Sequence, residues 1–136
     1  MSHIQSARKH SRGVTLIELL IVIAILGIIA AIAYPMYGAH VRKGHRAAAQ
    51  AHLMTLASRQ GEILAGSNSY AQKPELLALV PTPPAVAKYY TIDVPIYSTA
   101  PPRFKITATP GSGTQQASDG VLSLDQAGER LPADKW

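Results

Sequence analysis

The sequence predicts an α+β protein: one long N-terminal helix, apolar in its first half and amphipathic in its second, packed on a small antiparallel β-sheet head. Three observations predict it. Residues 14–33 (VTLIELLIVIAILGIIAAIA) form an almost unbroken apolar run of about 20 residues, enough to cross a ~30 Å hydrocarbon core as a helix. Residues 38–66 then carry apolar side chains at three- and four-residue spacings. After residue 87, three short segments rich in β-branched and aromatic residues alternate with Pro- and Gly-rich connections.

Four segments follow from this. Residues 1–13 are polar and basic, residues 14–37 are the spanning helix, residues 38–66 its soluble continuation, and residues 67–136 a loop plus the sheet. Tyr34, Pro35 and Tyr37 close the apolar run, which places aromatic rings at interfacial depth and a kinking proline beside them. In the soluble half, Leu53, Met54, Leu56, Ala57 and Leu64 mark a buried stripe, with Arg42, Lys43, Arg46, Gln50, Arg59 and Glu62 on the polar side. Gly66-Ser67-Asn68-Ser69 stops the helix. A proline-rich loop over 70–87 holds a short helical turn at 75–79. Strands are predicted at 88–94, 103–109 and 120–125, the last with Val121 and Leu122 competing for the inner face, followed by a turn at Gln126-Ala127-Gly128.

With 136 residues the chain accommodates one small domain and an anchor, and with no cysteine it has no disulfide or thiolate metal site. The net charge of +5 does not describe a basic surface. Arg8, Lys9 and Arg12 lie in the first thirteen residues, where there is no acidic residue; without them the balance is +2. From Ser67 onward the charges cancel, and the excess sits at Arg42, Lys43, Arg46 and Arg59.

A secretory signal peptide would have a shorter apolar stretch and a cleavage site after it. An ordinary signal anchor leaves Glu18 unexplained, because an ionisable residue inside a span is costly and points to function. A third reading accounts for both features: a basic leader ending at Gly13, a new N-terminus at Val14, and a carboxylate four residues beyond it.

These residues resemble a known family. Gly13-Val14-Thr15-Leu16-Ile17-Glu18-Leu19-Leu20 looks like the type IV prepilin signature, and Tyr34-Pro35 with Tyr37 resembles the A-Y-P-x-Y element of type IVa pilins, followed by Val41-Arg42-Lys43. The resemblance covers about the first 60 residues and implies the type IV pilin fold. It implies cleavage of the Gly13–Val14 bond by a membrane prepilin peptidase and N-methylation of Val14, which here replaces the usual phenylalanine. A glycine before the cut admits the backbone closely to an enzyme. Arg8, Lys9 and Arg12 would keep the leader cytoplasmic. Glu18 would meet the N-terminal amine of a neighbouring subunit, and Gly27 and Pro35 would bracket a stretch that loses helical bonds in the fibre. The implied partners are other pilin subunits, the peptidase and inner-membrane assembly machinery. The implied location is a single-pass inner-membrane precursor of a Gram-negative bacterium, and then an extracellular pilus.

The head looks more loosely like that of PilE-type minor pilins, through Phe104-Lys105-Ile106-Thr107-Ala108-Thr109-Pro110, Gln116-Ala117-Ser118-Asp119-Gly120 and the terminal Trp136. Members of that group place cysteines where this chain has Asp119 and Lys135, so the usual C-terminal disulfide is missing, with roughly 2–4 kcal/mol of stabilisation. The expected function is a structural minor pilin supporting adhesion, twitching motility or DNA uptake. The alternatives are a major pilin or a DNA-binding minor pilin, with a type II secretion pseudopilin ranked below them. DNA contact would fall to Lys88, Arg103 and Lys105, with Tyr89, Tyr90 and Phe104 as a stacking platform, and ranks below a plain solvated strand face. His40, His45 and His52 read as surface histidines without metal spacing. The Asp125–Gly128 segment reads as a turn before an ion site. No cofactor is expected, and no nucleophile–base spacing suggests an enzyme.

Overall fold

The computed structural model describes residues 13–136, so the leader residues Arg8, Lys9 and Arg12 lie outside the described residues. Helix α1 spans Leu16–Ser67, with Pro35 inside it. Two compact units divide the chain, one reaching to Gly38 and the other Ala39–Trp136.

The described residues of the first unit are helix and little else. Its start is capped by the Thr15 hydroxyl, which accepts the Glu18 amide at 3.3 Å, as a threonine at an N-cap should. Every large apolar side chain from Val14 to Ile32 is exposed. Pro35 has no amide to give to the Ala31 carbonyl, yet the helical assignment continues through it.

The second unit owes its core to one face of α1 and one face of the sheet. Ala49, Leu53 and Leu56 are fully buried on the helix, and Phe104, Ile106, Ala108, Leu122 and Leu124 are buried on the strands. Met54, expected in that stripe, is instead 41% exposed, because the inward face runs through 49, 52, 53, 56 and 60. The helix ends on Asn68 in the left-handed conformation (φ 57°), its amide bonded to the Leu64 carbonyl at 2.9 Å. Helix α2 (Lys73–Leu79), with a proline in its first turn, extends the expected helical turn at 75–79, and a second short helix, α3 (Pro84–Ala87), replaces part of the expected loop.

The strands are β1 (Tyr90–Asp93), β2 (Ile96–Thr99), β3 (Pro102–Pro110), β4 (Leu122–Asp125) and β5 (Arg130–Leu131). All pairings are antiparallel, in the order β1-β3-β4-β5, with β2 also on β3. The sequence expectation of three strands missed β2 and β5. The β1 register, Tyr90 against Pro110 and Asp93 against Thr107, carries on into Ile96 against Phe104, so β1 and β2 are one edge strand interrupted at Val94–Pro95. Pro95 cannot donate to a ladder, but its carbonyl still accepts the Lys105 amide at 3.2 Å, as an edge position allows. In β4 Leu122 turns inward and Val121 stays 48% exposed, which resolves the competition between them.

Gln60 joins the helix to the chain that follows it. Its side chain is fully buried, and its amide makes two bonds to one residue: Nε2 to the Ala71 carbonyl and Oε1 from the Ala71 amide, each 2.8 Å. Removing such a group leaves a buried donor and a buried acceptor unpaired. Gln60→Ala should therefore lower the stability of the head by about 2–3 kcal/mol, measured by urea unfolding; a loss below about 0.5 kcal/mol would show that water replaces the clamp.

Candidate functional site

Three features of the described residues carry chemistry: the carboxylate of the apolar helix, a buried polar network in the head, and a basic groove on the sheet. Glu18 lies in the first turn of α1, among side chains exposed along the whole apolar run. A Cβ built on Gly13 or Gly27 would meet nothing within 4 Å, so neither glycine answers to packing inside the chain.

The polar network centres on Asp119, which is 5% exposed. Arg46 on α1 grips it with both arms, Nε to Oδ2 at 2.7 Å and Nη2 to Oδ1. The Tyr90 hydroxyl donates to Oδ2 at 2.9 Å, and the buried Gln116 amide donates to that hydroxyl and to the Arg42 carbonyl, each at 2.9 Å. A buried carboxylate requires this kind of matching. The Arg46 guanidinium holds the Asp119 carboxyl below its usual range against the opposing effect of burial, and Asp119 in turn raises Arg46. Burial, and then the bond to Asp119, push the Tyr90 hydroxyl up to about 12.

Lys135, at the other position where the resemblance places a cysteine, is also anchored. Gln50 on α1 donates to the Lys135 carbonyl at 2.7 Å, the Trp136 indole donates to the Leu131 carbonyl at 3.1 Å, and Arg130 lies 5.4 Å over the indole ring. The tail is thus held to helix and sheet by polar contacts. His52 corrects the surface reading: it is 5% exposed, Nε2 has no partner, and burial lowers its pKa. Its position on the inward face of α1 was readable from its spacing to Ala49 and Leu56.

The basic residues divide into two places. Arg103 and Lys105 share the outward face of β3, opposite buried Phe104, Ile106 and Ala108. With Tyr97, Asp125 and Gln126 they line a shallow groove of about 360 Å³. Lys88 is elsewhere: Tyr90, two residues after it, pairs with Pro110, seven residues and roughly 24 Å along β3 from Arg103. The expected stacking platform does not form either. Tyr90 and Phe104 are buried, and Tyr89 stacks on His45 with ring centroids 3.9 Å apart. The exposed aromatic at the groove is Tyr97, 64% exposed, which lies on the missed strand β2. At the far end of β4, the Asp125 carboxylate accepts the Ala127 and Glu129 amides, each at 2.9 Å, around Gly128 at φ 80°; this is a hairpin turn, as expected.

Comparison with known proteins then decides the family. Residues 35–123 match the family model described as type IV minor pilin ComP, DNA uptake sequence receptor. The chain belongs to the type IV minor pilin family. Residues 8–34 match the prokaryotic N-terminal methylation motif, which spans Gly13–Val14 and Glu18. Among solved structures, a type IV pilin from Shewanella oneidensis superposes with a TM-score of 0.53 at 26% identity, covering 68% of this chain and 92% of that one. The long helix on an antiparallel sheet is therefore the type IV pilin fold, and the protein is a minor pilin, of a family of structural filament subunits. Its N-terminal helix is apolar and long enough to cross a membrane.

The network predicts a pH profile for the head. His52 is more easily protonated unfolded than folded, so its contribution is lost as pH falls below about 6.5. Asp119 adds a second loss as pH falls below about 3.8, through its depressed folded value. Tyr90, raised when folded, stabilises fully below pH 10 and loses that contribution as pH rises towards 12. Asp119→Ala should cost about 3 kcal/mol, at the lower end for a broken buried pair because Arg46 keeps some solvent. Urea unfolding of wild type and Asp119→Ala at pH 3, 5, 7.5 and 11 tests each window; equal sensitivity of both proteins between pH 5 and 3 would remove Asp119 from the account.

Proposed function

We propose that this minor pilin is a DNA receptor displayed on a type IV pilus, with Arg103 and Lys105 taking phosphates and Tyr97 stacking on a base or sugar. The observation that carries the reading is the groove in which these three side chains converge, within the stretch similar to the DNA uptake sequence receptor model. The sequence alone ranks DNA below a solvated face because the head is charge-neutral, and it groups Lys88 with Arg103 and Lys105 beside Tyr89, Tyr90 and Phe104 rather than Tyr97. An exposed tyrosine next to two cations suits nucleic acid better than either feature alone: cations give salt-dependent affinity, and stacking adds roughly 1–3 kcal/mol per base. Asp125 tempers the charge of the groove, with one of its carboxylate oxygens engaged by two turn amides.

In this reading residues 1–13 are a leader, removed at Gly13–Val14 with methylation of Val14. Residues 14–37 anchor the precursor in the inner membrane and then polymerise, residues 38–66 carry the head, and residues 67–136 present it outside the cell. Glu18 acts as a register device, because a carboxylate in an apolar environment costs at least a few kcal/mol unless a neighbour's amine meets it. Gly27 and Pro35 bracket the stretch whose helical bonds are most easily given up on incorporation.

Two experiments test this. Gel retardation of duplex and single-stranded DNA by the head should weaken steeply with salt, and Arg103→Ala/Lys105→Ala should lower the log–log salt slope by roughly 2. Binding that ignores salt, or a double variant that behaves as wild type, ends the DNA reading. Separately, Glu18→Ala should insert and be cleaved normally but be depleted from sheared filaments, counted by mass spectrometry; wild-type incorporation would sink the register role.

A further inference from the structure

The basic side chains at the start of the second unit lie outside the DNA groove, and of them only Arg46 belongs to the polar network. His40, Arg42, Lys43, His45 and Arg46 occupy seven residues of helix directly after the apolar run and its aromatic border. No acidic residue occurs between Glu18 and Glu62. These cations stand on the side of the span where positive charge opposes the required orientation, so their presence there calls for a reason. The head adds another cation: the Lys88 ammonium lies 5.3 Å over the Tyr89 ring, and Tyr89 stacks on His45. Only Arg46 has an acidic partner, Asp119, while Lys43 and Lys88 are exposed.

We propose that this ring, with Arg42, Lys43 and Lys88 as its permanent cations, binds anionic phospholipid headgroups and seats the head of the unassembled subunit on the membrane surface. The geometry suits that partner. A helix rises ~1.5 Å per residue, so His40 to Arg46 covers roughly 9 Å, close to the depth of one headgroup layer. Headgroups surround a helix leaving a bilayer, which suits exposed Lys43 and half-buried Arg42 on that helix. Lys88 extends the same charge sideways from a different element, as contact with a plane requires. Polybasic segments beside a span are attracted to anionic lipid over about a Debye length. A DNA backbone could also meet cations, but the exposed rings that precede these, Tyr34 and Tyr37, border the apolar run, where aromatic side chains suit a bilayer interface, and Tyr89 is covered by His45 on one side. The proposal is independent of the DNA reading, since it uses neither Arg103 nor Lys105.

The test uses the full chain reconstituted in phosphatidylcholine vesicles, with or without phosphatidylglycerol, and a water-soluble acetylating ester read out by mass spectrometry. Acetylation of Lys43 and Lys88 should slow at least about threefold with phosphatidylglycerol and recover in high salt. Lys105, in the DNA groove, and Lys73, paired with Asp93 at 3.1 Å, should be unchanged. Equal rates in the two vesicles would overturn the proposal, as would protection shared equally by Lys73 and Lys105. Protection of Lys43 and Lys88 that appears only when duplex DNA is added would also overturn it and move DNA to this surface.

Discussion

Asp119 carries a charge into a place where charge is expensive, and much of the head is arranged around meeting it. Its partners come from three parts of the chain: Arg46 on α1, Tyr90 at the start of β1, and, through that hydroxyl, Gln116 in the loop before β4. Gln116 then returns to α1 at the Arg42 carbonyl. The loop from Gly111 to Gly120 is thus closed onto the helix at both Arg42 and Arg46. A disulfide would stabilise chiefly by restricting the unfolded chain. The carboxylate acts only in the folded state, where withdrawing any one partner leaves the others buried and unmatched. The consequence is a head whose folding needs no oxidant and whose stability is sensitive to pH.

The same logic extends along the inward face of α1, which is more polar than a helix packed on a sheet usually is. Gln50 holds the C-terminal tail, Gln60 holds the chain after the helix, and Arg46 holds the loop before β4. Between them, Ala49, Leu53 and Leu56 supply apolar contact with the strands. Burial by itself is non-directional, so a short apolar stripe fixes register weakly. Buried amides and a guanidinium accept few alternatives, and here they fasten three separate segments. His52 is the exception, because its Nε2 is buried without a partner.

Large parts of this fold are legible in the sequence, for a physical reason in each case. The apolar run, its single carboxylate and the Gly13–Val14 junction are dense local signals. Strand β3 shows its two faces through strict alternation, and Asn68 and Gly128 mark the ends of elements by their backbone freedom. Strand β2 was missed because Pro95 reads as a break, although an edge strand tolerates a residue that cannot donate. Strand β5 is two residues long and exists only as a partner of β4. Helix α2 shows in part, as the turn at 75–79, while α3 is hidden by the proline in its first turn, where the missing amide costs nothing. The polar network was illegible for a different reason: Arg46 and Asp119 are 73 residues apart, and no local pattern pairs them.

The placement of Tyr97 shows how that gap bears on function. Composition and charge balance describe the head as neutral, and a neutral head argues against nucleic acid. Function, however, depends on where charges converge. The strand register carries Lys88 away from Arg103 and Lys105, and β2 brings an exposed ring beside them. On the neighbouring strand Asp125 pairs with Lys105 in the register, so the groove holds two cations against one carboxylate. Neutrality over the whole head is therefore compatible with a local cationic site, and the sheet separates that site from the second set of cations near His45. One small head can in this way carry two sets of cations, one beside an exposed ring and one that follows the apolar run in the sequence.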